Sequence, residues 1–274
     1  MPQNKEKLKA IKAFVFDMDG TLWLGNKRIK GAKEIISFLA EKTFAFYFFT
    51  NNSSKNPKEY VNKLKRMGLG AFNIDRIMTS GDVTAAYIKK RTKQPSVYVC
   101  GTKALKKQLR KAGIRVVEKS GQVIDYAVLG FDRELTFSKL TILVDYIMDG
   151  VPYLATNTDD VCPLEKGRFL VDCRSMAKMI ENATGKTPKY LGKPEAATVD
   201  YIVSATGLKP NEIAMVGDRL YTDIATAKKG GMLGVAVLSG ETNKSDIKSS
   251  EIKPDLVYNS VAELLQDLKE IFDE

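Results

Sequence analysis

Residues 13–22 read Ala-Phe-Val-Phe-Asp-Met-Asp-Gly-Thr-Leu. An apolar run delivers two carboxylates, Asp17 and Asp19, into a turn that contains a glycine. Residues i and i+2 of an extended backbone leave on the same side. Gly20 lets the chain turn sharply behind them. Two acids converging at the end of a buried strand are costly unless something uses them. A divalent cation together with a phosphoryl group would use both, one carboxylate as nucleophile and ligand, the other as proton carrier.

Working outward, short apolar runs at 14–16, 44–49, 97–100, 126–129, 213–216 and 233–238 read as strands. They lack strict alternation, so both faces are expected to be covered. Helical patterns fall between them at 32–39, 57–67, 104–111, 138–148, 175–183, 196–205 and 261–272. Strand–helix alternation over this length predicts an α/β protein with a parallel sheet flanked by helices. No long Pro/Gly/Ser tether divides the chain, so a second domain would be inserted by short crossings, with 79–82 and 185–188 as candidates.

The 274 residues suffice for one large or two modest domains. Hydrophobic residues make up 44% and charged residues 28%, as in ordinary globular proteins. No apolar run approaches the ~18 residues of a spanning helix. The first twelve residues are polar and basic without an apolar signal core, so a cytoplasmic address and no membrane partner are expected. Cys100, Cys162 and Cys173 stand singly, which fits neither a zinc site nor a disulfide framework, and all three read as reduced thiols. The chain has no histidine, which excludes Ser-His-Asp triads, HExxH zinc sites and phosphohistidine chemistry. Acid–base work falls to carboxylates, Lys, Tyr or Cys. The net charge is +10, and residues 82–186 carry 18 Lys+Arg against 12 Asp+Glu. That excess reads either as a solvated lysine-rich surface or as attraction of anionic substrates. No basic stripe interleaved with aromatics is present, so nucleic acid is not an expected partner.

Three further signals sit where apolar runs end. At Thr50-Asn51-Asn52-Ser53 the apolarity stops in hydroxyl and amide groups. These can bind phosphate oxygens or cap the helix beginning near Pro57. In Gly192-Lys193-Pro194 a lysine fixed before proline can neutralise a phosphoryl oxygen, or simply occupy a surface loop. In Gly217-Asp218-Arg219-Leu220-Tyr221-Thr222-Asp223 the first acid suits a metal ligand and the second an anchor ordering the ligands. A strand–turn–helix with a capping Asp gives the same pattern.

In this order, Asp-x-Asp-Gly-Thr, Thr-Asn-Asn, Gly-Lys-Pro and Gly-Asp-x-x-x-x-Asp, the chain resembles the haloacid-dehalogenase-like (HAD) superfamily. Within it the chain is similar to the type IIA branch, the p-nitrophenyl-phosphatase-like enzymes, and Val237-Leu238-Ser239-Gly240 extends the likeness. The resemblance implies a Rossmann-like core over 1–81 and 187–274 with an α/β cap inserted over 82–186. It implies a Mg²⁺-dependent phosphatase of small phosphomonoesters. Asp17 would attack phosphorus to form an aspartyl-phosphate, and Asp19 would protonate the leaving group and then activate water. Thr50, Asn51 and Lys193 would bind the phosphoryl oxygens. Mg²⁺ would be held by the carboxylates of Asp17 and Asp218 and the carbonyl of Asp19, with Asp223 ordering that shell. Caps of this kind also mediate homodimers.

The resemblance places Leu154-Ala155-Thr156-Asn157-Thr158-Asp159 near the substrate, with Asn157 and Asp159 facing the cleft or forming its turn. Arg174 stands where small residues are usual, and it suits either contact with an acidic part of the substrate or an exposed helix start. Trp23, the only tryptophan, suits stacking on a leaving group or packing between core and cap. A phosphotransferase passing the group to an acceptor other than water shares these residues, as does a sugar-phosphate- or nucleotide-specific phosphatase. A P-loop reading of Gly185-Lys186-Thr187 fails because Ile180 stands where the loop needs glycine.

Overall fold

The computed structural model describes residues 5–164 and 167–273. The first four residues of the basic N-terminal stretch therefore lie outside the described residues. The chain divides into two compact units. One comprises Met1–Phe49, Tyr60–Met78 and Val199–Glu274, the other Thr50–Glu59 and Thr79–Thr198.

The first unit is built on a six-stranded sheet. Its order is Leu256–Tyr258, Leu233–Val237, Ile213–Gly217, Ala13–Asp17, Ala45–Thr50 and Ile77–Thr79. The four pairings from Leu256–Tyr258 to Ala45–Thr50 are parallel. Ala13–Asp17 is apolar for four of its five residues and those four are buried, as are all residues of Ile213–Gly217 and Leu233–Val237. Central parallel strands covered on both faces need this composition. Phe14, Phe16, Phe46 and Phe48 fill the layer between the sheet and the helices Ala32–Glu41 and Val261–Phe272.

The chain steps outward from Ala13–Asp17 to one sheet edge, then returns to the other side of the same strand. Strand order thus reverses between Ala13–Asp17 and Ile213–Gly217, where Phe16 pairs with Val216. In open parallel sheets a crevice forms outside the carboxyl ends at such a switch point, because the crossover helices leave to opposite faces. Asp17 and Asp218 are the residues that emerge there.

The second unit has a five-stranded parallel sheet ordered Lys189–Tyr190, Tyr153–Ala155, Tyr126–Leu129, Ser96–Cys100 and Arg115–Val117. Its helices Lys103–Lys111, Phe137–Met148 and Cys173–Thr184 start at Thr102, Thr136 and Asp172, whose side chains accept from Leu105, Lys139 and Cys173 N–H groups. Such caps satisfy donors left open by the first helical turn. An antiparallel hairpin pairs Val161–Pro163 with Phe169–Val171. The stretch 79–82 starts the helix Ser80–Lys89 through a capping box between Thr79 and Asp82. No helix among the described residues is long and apolar enough to cross a membrane.

The three cysteines are free, with Cys100 and Cys173 buried and Cys162 partly so. Burial pushes the thiols of Cys100 and Cys173 up to about 12. Since the thiolate is the reactive form, a disulfide reagent at about pH 8 is expected to titrate Cys162 alone in the native protein and all three thiols after denaturation. Rapid native labelling of Cys100 or Cys173, read by mass spectrometry, would contradict this core.

Candidate active site

Asp17 closes the strand Ala13–Asp17, and Asp218 follows the strand Ile213–Gly217 directly. Asp223 returns to the same place because residues Leu220–Ile224 form one π-helical turn after Arg219. Such a turn is rare and re-aims a side chain within a helix. It lets the Arg219 N–H donate to Asp223 Oδ2 at 3.1 Å. One carboxylate oxygen each from Asp17, Asp218 and Asp223 lies within 4.8 Å of the others.

Glycines shape this cluster by leaving room. A Cβ at Gly20 would fall 2.2 Å from Asp218 Oδ2, and one at Gly240 would fall 2.0 Å from it. A Cβ at Gly217 would lie 2.2 Å from the Asp223 carboxyl carbon. Gly20 also has φ +93°, a conformation L side chains rarely adopt. Its N–H donates to the Trp23 carbonyl at 2.7 Å, and its carbonyl accepts from Ser239 Oγ at 2.8 Å. The backbone of Glu241 donates to Asp218 Oδ2 at 2.8 Å. The acids are thus wrapped by main chain, and the set offers hard oxygen ligands only. That donor chemistry fits Mg²⁺ or a similar divalent cation.

Asp19 has different surroundings. The strand ends at Asp17, so the two-residue repeat does not carry through to Asp19, which sits in the turn and is bridged to Trp23. The indole N–H of Trp23 donates to Asp19 Oδ1 at 2.6 Å, and Lys63 Nζ donates to the same oxygen at 3.2 Å. Lys63 also lies over the Trp23 ring, 4.3 Å from its centroid. Trp23 is fully buried, while the Asp19 side chain is about half exposed, at 53%. Lys63 escaped the sequence reading because a lysine on the polar helix Pro57–Arg66 carries no local signal.

The other expected residues belong to the second unit. Thr50 is the last residue of its strand, and its hydroxyl accepts from the Asn52 N–H at 3.1 Å. Asn51 and Lys193 are joined reciprocally. The Lys193 N–H donates to Asn51 Oδ1 at 2.8 Å, and Asn51 Nδ2 donates to the Lys193 carbonyl at 3.1 Å. Asn157 is buried and donates through Nδ2 to the Asn51 carbonyl at 2.8 Å. The neighbouring Thr158 hydroxyl donates to the Lys193 carbonyl at 2.9 Å. Gly192 is required by this closeness, since a Cβ there would lie 2.7 Å from Asn51 Oδ1. Lys193 is 2% exposed, and these three hydrogen bonds hold its backbone, so it does not sit in an exposed surface loop.

Asp159 is buried, and its carbonyl accepts from the Arg174 N–H at 2.9 Å. The Arg174 guanidinium grips Asp160 through both Nε, at 2.7 Å, and Nη2. That pairing holds the Asp160 carboxyl below the usual carboxylate range and raises Arg174. A fork-to-carboxylate geometry fixes the side chain's direction.

A haloacid dehalogenase-like hydrolase family profile matches residues 14–115, and a HAD-hydrolase-like profile matches residues 190–264. An acid sugar phosphatase of Staphylococcus aureus is 32% identical over 96% of this chain and 100% of its own length. The crystal structure of a 4-nitrophenylphosphatase from Thermotoga maritima superposes with a TM-score of 0.89 at 38% identity, covering 95% of this chain and 98% of that one. A glycerol phosphate phosphatase from Mycobacterium tuberculosis in complex with magnesium gives 0.86 at 26% identity, covering 96% of this chain and 78% of that one. The chain belongs to the haloacid dehalogenase-like hydrolases, in their p-nitrophenylphosphatase-type branch, and is a phosphatase.

The glycine cradle yields a test that does not depend on turnover. Saturating Mg²⁺ should raise the melting temperature of the wild type by a few degrees, since binding at about a hundred times Kd stabilises by about 2.7 kcal/mol. Gly240→Ala, which drives a methyl group into Asp218, should abolish that shift. An undiminished shift in the variant would place the ion elsewhere.

Proposed function

We propose that the chain is a Mg²⁺-dependent phosphatase of small phosphomonoesters that works through an aspartyl-phosphate on Asp17. The observation that supports this best is the convergence of Asp17, Asp218 and Asp223 at the switch point of the parallel sheet. In this reading an Asp17 carboxylate oxygen attacks phosphorus in line, and the ester oxygen leaves with a proton from Asp19. Asp19 then takes a proton from the water that hydrolyses the acyl phosphate, returning Asp17 to its starting state. Thr50, the backbone at Asn51 and the Lys193 ammonium take the equatorial phosphoryl oxygens. Thr50 ends the strand that pairs with that of Asp17, in the register Asp17 to Phe49. Mg²⁺, when bound by the carboxylates of Asp17 and Asp218 and the carbonyl of Asp19, offsets the repulsion between a carboxylate and a phosphate dianion. Asp223 keeps Arg219 and the following turn in place around it.

Residues 82–186 act as the inserted cap that reads the leaving group and excludes water. Relatives named as acting on acid sugar and glycerol phosphates support polyhydroxylated esters as substrates. Within the cap Asn157 and Asp159 line the substrate side, and Arg174, aimed by Asp160, meets acidic groups on the leaving alcohol. Trp23 contributes by holding Asp19. Exposed Val161, Phe169 and Val171 on the hairpin support a homodimer through the cap, and three free thiols support a cytoplasmic location.

Phosphate release from a panel of phosphomonoesters, with Mg²⁺ or EDTA, tests the reading. Turnover should vanish with EDTA and fall by at least about a thousand-fold in Asp17→Asn, as expected on removing a nucleophile. Turnover that survives Asp17→Asn would remove the aspartyl-phosphate, and phosphate reaching an alcohol rather than water would make the enzyme a transferase. Arg174→Ala should lower kcat/KM for esters with an acidic leaving group about ten-fold while leaving neutral esters unchanged, in line with the loss of one charge-assisted contact. Equal effects on both classes would remove Arg174 from substrate recognition.

A further inference from the structure

Two donors meet on one oxygen of Asp19. Trp23 Nε1 and Lys63 Nζ both bind Oδ1, and Lys63 is in turn seated on the Trp23 ring. The indole is fully buried and cannot turn away, and the Lys63 side chain is only 16% exposed. The Asp19 carboxyl is by contrast about half exposed, and among the described residues the bonds to its Oδ1 come from this pair. We propose that Lys63, together with Trp23, is a positioning clamp that occupies Oδ1 of Asp19 and so presents Oδ2 to the leaving-group oxygen.

The inference rests on the reading that Asp19 is the acid–base residue of the phosphatase, and it adds how that residue is aimed. In the first half-reaction the Asp17 oxygen forms its bond to phosphorus while the bond to the ester oxygen breaks, and the proton moves from Oδ2 to that oxygen. An Oδ1 already holding two donors is a poor place for this proton, so the clamp selects the oxygen as well as the rotamer. Correct orientation is what converts a nearby acid into an effective one. The lysine's seat on the indole brings the ammonium to that oxygen, because cation and ring face attract each other.

The distinguishing readout is the leaving group. p-Nitrophenolate departs without a proton, whereas an unactivated alcohol such as that of glycerol phosphate needs one. Lys63→Met keeps the apolar stem over Trp23 and removes the donor. It should lower kcat/KM for glycerol phosphate about ten-fold, a fraction of the full general-acid contribution, and leave that for p-nitrophenyl phosphate within about two-fold. Lys63→Arg should recover most of the loss. Asp19→Asn measures the same ratio with the acid itself removed. Equal losses on both esters, or no loss on either, in a Lys63→Met protein whose melting temperature matches wild type would overturn the clamp. If that variant is unstable, Trp23→Phe, which removes the indole N–H together with part of the buried ring, must show the same ester dependence or the proposal fails. An Asp19→Asn enzyme with no ester preference would instead overturn the acid–base reading, and the clamp with it. Turnover surviving Asp17→Asn would do so independently of either.

Discussion

Three like-charged carboxylates held within 4.8 Å of one another are the constraint on which the rest of the catalytic core depends. At an effective dielectric near 20, each pair of unit charges about 4 Å apart repels by about 4 kcal/mol. Left to itself, such a cluster would spread. It is held because Asp17 and Asp218 are fixed by adjacent parallel strands, whose side chains cannot separate without breaking the sheet. Asp223 is brought in by a π-turn whose own backbone bonds to Arg219. The energy of the sheet therefore maintains a concentration of negative charge that a divalent cation would relieve.

Small residues make that possible. Gly20, Gly217 and Gly240 stand where any side chain would displace a carboxylate, so main chain closes in on the acids there. The same device recurs in the second unit, where Gly192 lets Asn51 and Lys193 exchange two hydrogen bonds. In both places the glycine records a close approach made by a residue distant in sequence. Asp19 is treated differently from Asp17 although only Met18 separates them. One lies among carboxylates, the other against an indole N–H and an ammonium. Contrasting surroundings of this kind are what the proposed division into nucleophile and proton carrier would use.

The central strands were legible because burial on both faces demands continuous apolar runs, and residues 126–129 and 213–216 fall within the observed strands Tyr126–Leu129 and Ile213–Gly217. The helix at 261–272 was legible from its apolar spacing and coincides with Val261–Phe272. Ile77–Thr79, Arg115–Val117 and Leu256–Tyr258 were not, since three residues are too few to display a period and each is a strand only because a neighbour pairs with it. The helix Ser80–Lys89 was hidden behind Thr79 to Asp82, which resembles a loop until the capping box is seen. Of the site, Asp17 and Asp218 were visible at the ends of apolar runs, and Asp19 and Asp223 from their spacing to those two. Lys63 was not, because its role comes from a helix that the fold lays across Trp23.

By itself the sequence determined the kind of chemistry. A chain without histidine leaves acid–base work to carboxylates, Lys, Tyr or Cys, and acids at the ends of apolar runs with a lysine fixed before proline suit a divalent cation and a phosphoryl group. It also determined the class of sheet, because alternation of apolar runs and helices admits few other layers. Only the tertiary structure decided which acids share a cluster, which oxygen of Asp19 is occupied, and that the Arg174 guanidinium pairs with Asp160. Those outcomes depend on distances between residues far apart in the chain, and a local pattern carries no information about a contact that exists only once the chain has folded.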